Sequence, residues 1–162
     1  KDTPPSKFAA VFAAARELGL RLTMHCDVNQ KDIHAHIREC LDLIEVDRID
    51  HGINALEDEA LADEIARRGL GLTICPVSNR FVVQNLTGAE IRDMLRRGMK
   101  ATINSDDPAY FRAYMNENLQ ALVEEADFSR EELKTLTRNA FEVSWATDGQ
   151  KQEFLARLDR VH

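Results

Sequence analysis

Two adjacent carboxylates follow one apolar stretch of the chain, and a histidine ends each of two similar stretches upstream. Lys100–Asn104 has the composition of a buried strand, and Asp106 and Asp107 come just after it. Like charges in a partly buried place repel each other, so such a pair needs a compensating positive charge, and a divalent metal ion is the natural candidate. His25 and His51 end the two upstream stretches. We expect these four side chains to share one site.

Imidazole nitrogens and carboxylate oxygens are ligands that zinc accepts. A catalytic zinc site keeps one position open for water and lowers the pKa of that water to roughly 7. We expect His25 and Asp106 to bind the metal. His51 would orient or deprotonate the water, helped by the second carboxylate. The reaction class is then hydrolytic attack on an electrophilic carbon.

Each of these residues also has an ordinary structural explanation. A single histidine is commonly a hydrogen-bonded residue of the core or surface. Asp107 and Pro108 could be the N-cap and first residue of the next helix, and Cys75 and Pro76 could simply end a strand. The shared site is favoured because the polar groups fall at the same end of successive predicted strands.

The elements that must position these residues alternate between strand and helix. The predicted strands are 20–25, 48–51, 70–74 and 100–104. The predicted helices are 5–18, 31–45, 57–68, 87–97, 110–126, 129–145 and 149–160. Ser129 and Glu132 predict a capping box at the start of one helix, and Thr87 and Glu90 predict the same at another. Gly69 is expected to end a helix as a C-cap.

Strands that alternate with helices predict βαβ units and a parallel sheet. His25, His51, Cys75 and Asp106 recur every 24 to 31 residues, as do the reactive residues on the C-terminal rim of a (β/α)8 barrel. A closed barrel needs eight strands and four are predicted. We therefore predict an α/β fold, the C-terminal half of a (β/α)8 TIM-type barrel followed by C-terminal helices. An open, doubly wound four-stranded sheet is the alternative.

This fold would make residues 1–162 a single region. The last four βα units lie at about 20–126 and the C-terminal helices at about 129–160. The formal charge of −7, from 28 acidic and 21 basic residues, disfavours binding to nucleic acid or to an anionic membrane. The apolar runs are too short to cross a bilayer, and Lys1–Pro5 lacks the apolar segment of a signal peptide. Three cysteines without paired spacing argue against a disulfide scaffold, so we expect a cytoplasmic protein.

Four segments resemble the adenosine deaminase family of zinc amidohydrolases. They are His25 within TMHCDV, RIDHG at 48–52, CPVSN at 75–79 and INSDDP at 103–108. They occur in the family's order over nearly the whole chain. The resemblance implies that a zinc-bound hydroxide attacks C6 of an adenine-type ring and releases ammonia. The implied substrate is adenosine, adenine or a derivative.

The resemblance also implies a role for each residue. His25 resembles the zinc ligand of the fifth barrel strand, and Asp106 the last zinc ligand, which also holds the water. His51 resembles the histidine beside that water, and Asp107 the carboxylate that hydrogen-bonds the purine ring. The segment 75–79 resembles a rim segment to which no individual roles are assigned.

One departure from the family concerns the proton donor. The family's motif is His-Ala-Gly-Glu, and its glutamate protonates the purine ring nitrogen. Here the sequence is His25-Cys26-Asp27-Val28, so Val28 occupies the glutamate position. General acid–base catalysis is worth roughly 10²- to 10⁴-fold. Asp27, the nearest carboxylate, is the candidate replacement, and the alternatives are a different substrate or a weakened enzyme.

A second departure is length. The family's His-x-His zinc pair on the first strand would precede Lys1. His34-Ala35-His36 has that pattern but lies in a predicted helix, where residues two apart face different directions, so we expect these histidines to be solvent-facing or partly packed and not to bind metal. We expect the 162 residues alone to bind zinc weakly and to lack turnover. Open sheet edges would favour pairing with the missing N-terminal half or with another copy.

Two other functions remain open from the sequence. The chain could be a non-catalytic module, a degenerate barrel used for association, with Val28 as the mark of lost acid catalysis. It could also belong to a zinc amidohydrolase that acts on another substrate, such as an amide or ester.

Overall fold

The structure is a computed structural model that describes residues 3–26 and 31–161. Within these residues, four strands form one parallel sheet in the order β1-β2-β3-β4. They are β1 (Thr23–Cys26), β2 (Arg48–His51), β3 (Gly71–Ile74) and β4 (Lys100–Ile103). Each strand lies beside its neighbour in sequence, as in a (β/α) barrel. A doubly wound sheet reverses its strand order at a switch point, so this order argues against the doubly wound alternative.

A helix precedes the first strand, and helices follow each strand and continue to Asp159. They are α1 (Ala9–Glu17), α2 (Ile33–Glu39), α3 (Glu59–Arg68), α4 (Pro76–Val83), α5 (Gly88–Arg96), α6 (Pro108–Phe111), α7 (Met115–Ala126), α8 (Arg130–Glu142) and α9 (Asp148–Asp159). A π-helical turn at Cys40–Ile44 extends α2, and 3₁₀ turns lie at Pro5–Phe8 and Ile53–Glu57.

The two faces of the sheet differ in polarity. Side chains alternate between the faces of a strand, and Ile49, Leu72 and Ala101 are fully buried in the core. The alternate positions of β2 and β3 carry partly buried polar residues such as Asp50 and Thr73. This polar face leads directly to the strand ends where the candidate site residues lie.

The helix boundaries correct several predictions. Helix α4 was not predicted, although Pro76 at its first position is a common start signal. The helix predicted at 110–126 is two helices, because α6 ends at Phe111 and α7 begins at Met115. The helix predicted to reach Trp145 ends at Glu142.

The capping predictions had mixed outcomes. Ser129 and Glu132 form the predicted capping box, and Gly69 ends α3 in the left-handed conformation with φ +65°. The capping box predicted at Thr87 and Glu90 was wrong. The Thr87 hydroxyl donates to the Leu86 carbonyl instead of accepting from the helix backbone.

Two further features concern the protein's environment. Among residues 3–26 and 31–161, no helix combines the length and the apolar character needed to cross a membrane. Cys26, Cys40 and Cys75 are free and buried, as expected for a protein without a disulfide scaffold. The Cys26 and Cys40 sulfurs lie 3.8 Å apart.

Candidate active site

The C-terminal ends of the four strands surround one cavity of about 330 Å³. Parallel strands present these ends at the same edge of the sheet, and in barrels this edge carries the catalytic groups. Three of the predicted site residues, His25, His51 and Asp106, line this cavity. The other lining residues are Arg48, Asp50, Thr73, Cys75 and Asn104.

The two histidines come from neighbouring strands and lie side by side. In the ladder between β1 and β2, His25 is opposite Asp50 and Cys26 is opposite His51. The imidazole rings of His25 and His51 have centroids 4.5 Å apart and are tilted by 57°. His51 is only 9% exposed, and its Nε2 atom lies 3.8 Å from Oδ2 of Asp106. His25 is more exposed and forms the outer part of the pair.

Asp106 is held by a residue of α4. The Ser78 hydroxyl donates a hydrogen bond of 2.7 Å to Oδ2 of Asp106. Ser78 is 3% exposed, whereas the Asp106 side chain is 24% exposed. A hydrogen bond from a buried hydroxyl to a carboxylate is charge-assisted and fixes the carboxylate's direction.

His51 and Asp106 share an unusual backbone conformation. Their φ angles are +62° and +56°, in the left-handed region that non-glycine residues seldom adopt. Such conformations cost of the order of 1–3 kcal/mol and persist where the surrounding structure enforces them, frequently at functional sites. The turn at each strand end therefore aims these two side chains toward the same cavity.

Cys75 lies beside these two residues. Candidate ligand atoms of His51, Cys75 and Asp106 lie within 4.8 Å of one another. Burial, with a smaller contribution from the negative charge of Asp106, raises the pKa of Cys75 to about 12. Its thiol donates to the Thr73 carbonyl at 3.6 Å. In this state Cys75 is a neutral thiol, which is a poor metal ligand.

The donor set of the cavity fits a zinc ion. Zinc binds imidazole nitrogen and carboxylate oxygen, and the cavity offers both from His25, His51 and Asp106. These groups come from three different parts of the chain. A cation bound between them would offset the negative charge of Asp106, which lies among partly buried side chains.

The fourth predicted residue, Asp107, lies at the N-terminus of a helix and not in the lining of this cavity. Asp107 is the N-cap of α6, and its backbone carbonyl accepts hydrogen bonds of 3.0 Å from the amides of Tyr110 and Phe111. Its exposed side chain does not line the cavity. The N-cap position that the sequence suggested for Asp107, with Pro108 next, is confirmed, but without a side-chain cap.

The remaining sequence hypotheses have different outcomes. Asp27 and Val28 lie outside the described residues. His34 is partly packed, and its Nε2 atom lies 3.1 Å from the Asn54 carbonyl and 3.3 Å from Oε2 of Glu57. His36 is buried, so the solvent-facing alternative was wrong for it. Neither histidine lines the cavity at the strand ends.

Sequence reasoning missed several polar residues that surround the site. Arg48 and Asp50 lie on β2, the strand that ends in His51, and Thr73 lies on the neighbouring strand β3. Ser78 lies on the unpredicted helix α4. Their signal in the sequence was weak. Arg48 and Asp50 alternate with buried Ile49, which marks a polar strand face but does not identify its contacts.

A comparison with models of protein families identifies the family to which this chain belongs. The family model described as Adenosine deaminase matches residues 1–161. The chain belongs to the adenosine deaminase family. The family resemblance carried by the four sequence segments is therefore confirmed.

Individual members of the adenosine deaminase family are also similar to this chain in sequence. An adenine deaminase from Rhodospirillum rubrum is 48% identical over 161 residues, which are 98% of this chain and 48% of that protein. An adenine deaminase from Paraburkholderia xenovorans is 45% identical, over 96% of this chain and 45% of that protein. The chain thus spans about half the length of these curated relatives.

Solved structures confirm the fold of this family member. The crystal structure of adenine deaminase from Arthrobacter aurescens matches with a TM-score of 0.90 and 37% identity, over 96% of this chain and 48% of that one. A zinc-bound amidohydrolase from Burkholderia ambifaria matches with a TM-score of 0.83 and 24% identity, over 98% of this chain and 45% of that one. The prediction of a partial barrel of the adenosine deaminase type is confirmed.

Proposed function

We propose that this chain supplies the C-terminal half of the active site of a zinc-dependent hydrolase that deaminates an adenine-type purine. The observation that carries the proposal is the convergence of His25, His51 and Asp106 on one cavity in a chain of the adenosine deaminase family. Adenine is the first substrate to test, because the curated relatives at 48% and 45% identity are named adenine deaminases. Adenosine and other adenine derivatives are the next.

The residues proposed to hold the zinc are His25 and Asp106. When bound, zinc lowers the pKa of a coordinated water to roughly 7 and so provides a nucleophile at neutral pH. Two protein ligands are fewer than the three typical of catalytic zinc sites, so further ligands must come from the remainder of the longer polypeptide.

His51 is proposed to manage the proton of the attacking water. Its Nε2 atom lies 3.8 Å from the Asp106 carboxylate, so imidazole and carboxylate face the same small volume. An imidazole changes its charge near neutral pH, which suits proton transfer. The Ser78 hydroxyl donates to the same Oδ2 atom of Asp106 and leaves Oδ1 for other partners.

Two acidic residues are proposed to act on the purine. Asp107, which is exposed and directly follows Asp106, would accept a hydrogen bond from the purine ring. Asp27 would transfer the proton to the ring nitrogen in place of the family's glutamate. Its position directly before Val28 and two residues after His25 supports the assignment.

The partner of this chain is proposed to be the N-terminal half of the same barrel. Strands β1 and β4 are the outer strands of the described sheet and each pairs on one side within it. Unpaired strand edges favour the addition of further strands. The chain by itself is accordingly proposed to bind zinc weakly and to lack turnover.

The experiment uses the native full-length polypeptide that contains this chain, loaded with zinc. Ammonia release is measured with adenine, adenosine and N6-substituted adenines as substrates. Two neighbouring substitutions form the matched pair, Asp106→Asn and Asp107→Asn. The first should lose zinc and activity together, whereas the second should keep zinc and lose activity through a raised KM or lowered kcat.

The outcomes distinguish the three functions that the sequence left open. Ammonia release from any of these purines supports the proposal. Zinc binding without purine turnover would favour an amidohydrolase with another substrate. A full-length protein that binds no zinc and shows no hydrolysis would support the alternative that the chain is a non-catalytic module.

A separate pair of substitutions tests the proposal that Asp27 is the proton donor. Asp27→Asn should lower kcat by roughly 10²- to 10⁴-fold while zinc content stays constant. Val28→Glu restores the family's residue next to it. If Val28→Glu raises adenosine turnover strongly and Asp27→Asn has no effect, Asp27 is not the proton donor.

A further inference from the structure

The backbone amide of His51 is bound by a side chain of the neighbouring strand. The N–H of His51 donates to Oγ1 of Thr73 over 3.3 Å. The ladder between β2 and β3 pairs Asp50 with Thr73, and His51 comes one residue later. The Thr73 hydroxyl therefore takes the place of a backbone acceptor where β2 leaves its regular pairing.

This acceptor lies where the backbone is strained. His51 has a φ angle of +62°, which places its N–H and side chain differently from those of a regular strand residue. A buried amide needs a partner, and a left-handed residue must be held by its surroundings. The next amide, that of Gly52, donates in the other direction to the Cys26 carbonyl over 3.1 Å. The turn after β2 is thus held by hydrogen bonds to both neighbouring strands, β1 and β3.

The direction of the Thr73 hydroxyl is set by Asp50. A threonine hydroxyl has one proton to donate and two lone pairs. Thr73 Oγ1 lies 3.1 Å from Oδ1 of Asp50, and an ionised carboxylate can only accept. Donation to Asp50 therefore leaves a lone pair of Thr73 for the amide of His51.

Asp50 is itself fixed by other donors. The Thr23 hydroxyl donates to its Oδ2 over 2.8 Å, and Nε of Arg48 donates to its Oδ1 over 3.3 Å. The Arg48 guanidinium lies over the Trp145 ring at 4.2 Å, a cation–π contact. Because these two donors hold the Asp50 carboxylate independently of Thr73, the carboxylate can fix the direction of the Thr73 hydroxyl.

We propose that Thr73 is a positioning residue for His51. Its hydroxyl, oriented by Asp50, holds the left-handed backbone of His51 and so sets the place of the imidazole relative to Asp106. The catalytic consequence rests on the proposed function, whereas the hold on the backbone does not. A displacement of about 1 Å in a reacting group can cost 10²-fold in rate, so this hydrogen bond is expected to affect kcat.

The test compares Thr73→Val with Thr73→Ser in the full-length, zinc-loaded protein. Valine keeps the β-branched shape and removes both hydrogen bonds, whereas serine keeps the hydroxyl. Thr137→Val is the matched control, because Thr137 is a partly buried threonine of α8, outside the cavity lining, whose hydroxyl donates to the Leu133 carbonyl at 2.8 Å. Exchange of the His51 amide is followed by NMR on protein labelled with ¹⁵N-histidine, and steady-state kinetics are measured in parallel.

Thr73→Val should speed exchange of the His51 amide at least about 10-fold and lower kcat about 10- to 100-fold, with KM and zinc content nearly unchanged. Thr73→Ser should keep both the exchange rate and kcat close to the wild-type values, and Thr137→Val should change neither. If Thr73→Val does not fold, Asp50→Asn should show a smaller change of the same kind. Unchanged exchange in Thr73→Val, unchanged kcat despite faster exchange, or equal defects in the valine and serine variants would overturn the proposal. If the wild-type protein deaminates no purine, the proposed function fails, and the exchange measurement still decides whether Thr73 holds His51.

Discussion

Ser78 and Asp106 join a helix to a strand end through one hydrogen bond. The Ser78 hydroxyl donates to Oδ2 of Asp106 over 2.7 Å, although the two residues are 28 positions apart in the chain. Ser78 belongs to α4, which follows β3, whereas Asp106 follows β4. The bond connects two neighbouring βα units at the edge of the sheet where the cavity opens.

Ser78→Ala should weaken zinc binding by the full-length protein about 10- to 100-fold, the usual cost of losing a residue that orients a metal ligand. The carboxylate of Asp106 would lose its buried donor and rotate more freely. Affinity is measured by competition with a chelator. Ser144→Ala is the control, because Ser144 lies next to the opposite end of β3, beside Gly71. Equal zinc affinity in both variants would show that Ser78 does not orient the ligand.

Gly52→Ala should destabilise the protein by about 2–5 kcal/mol, the sum of a left-handed backbone cost and overpacking. Gly52 has φ +77°, and a Cβ there would lie 2.8 Å from Cγ2 of Ile49 and 2.8 Å from Cδ2 of Leu72. Urea unfolding measures the free energy. Gly19→Ala is the matched control, because Gly19 also has a left-handed backbone, with φ +73°, but no atom lies within 4 Å of the added Cβ. This variant should lose only about 1–2 kcal/mol of unfolding free energy. A smaller loss at Gly52 than at Gly19 would contradict the packing argument.

Acid should remove a stabilising contribution from Glu132. Its hydrogen bond from Arg92, followed by that from the Ser129 amide, lowers the pKa of this carboxyl from 4.5 to about 2. The folded state therefore binds its proton less readily than the unfolded state. The contribution is complete above pH 4.5 and declines as the pH falls toward 2.

Glu132→Gln tests this pH dependence because glutamine can still accept from the Ser129 amide but does not ionise. The wild-type protein should be more stable than the variant at pH 6, and the difference should shrink as the pH falls from 4.5 toward 2. Urea unfolding at several pH values gives the comparison, with Glu131→Gln as the exposed control. A difference that stays constant down to pH 2 would rule out the ionic contribution.

The sequence located the strand ends well because their signals are local. An apolar run followed by a polar residue identified His25, His51 and Asp106 as neighbours on one rim, and the cavity contains all three. Ser129 with Glu132 and Gly69 were also predicted correctly, since capping depends on residues within one turn of the helix. Thr87 fails the same rule because its backbone is left-handed, with φ +61° and ψ +27°, whereas an N-cap residue whose hydroxyl accepts from the helix has an extended backbone.

The partners of these residues needed the tertiary structure. Thr73 and Asp50 are 23 residues apart, and nothing in either local segment indicates that their side chains meet. Helix α4 was missed because Pro76, Ser78 and Asn79 are residue types typical of a loop, and with it Ser78 was left without a role.

The sequence by itself therefore determined the order of the strands and the residue types at the strand ends, because hydrophobic periodicity and turn residues act over a few positions. Only the tertiary structure decided which side chains hold them in place. Those contacts depend on strand register and on the left-handed turns at His51 and Asp106, which are set by packing between segments distant in the chain.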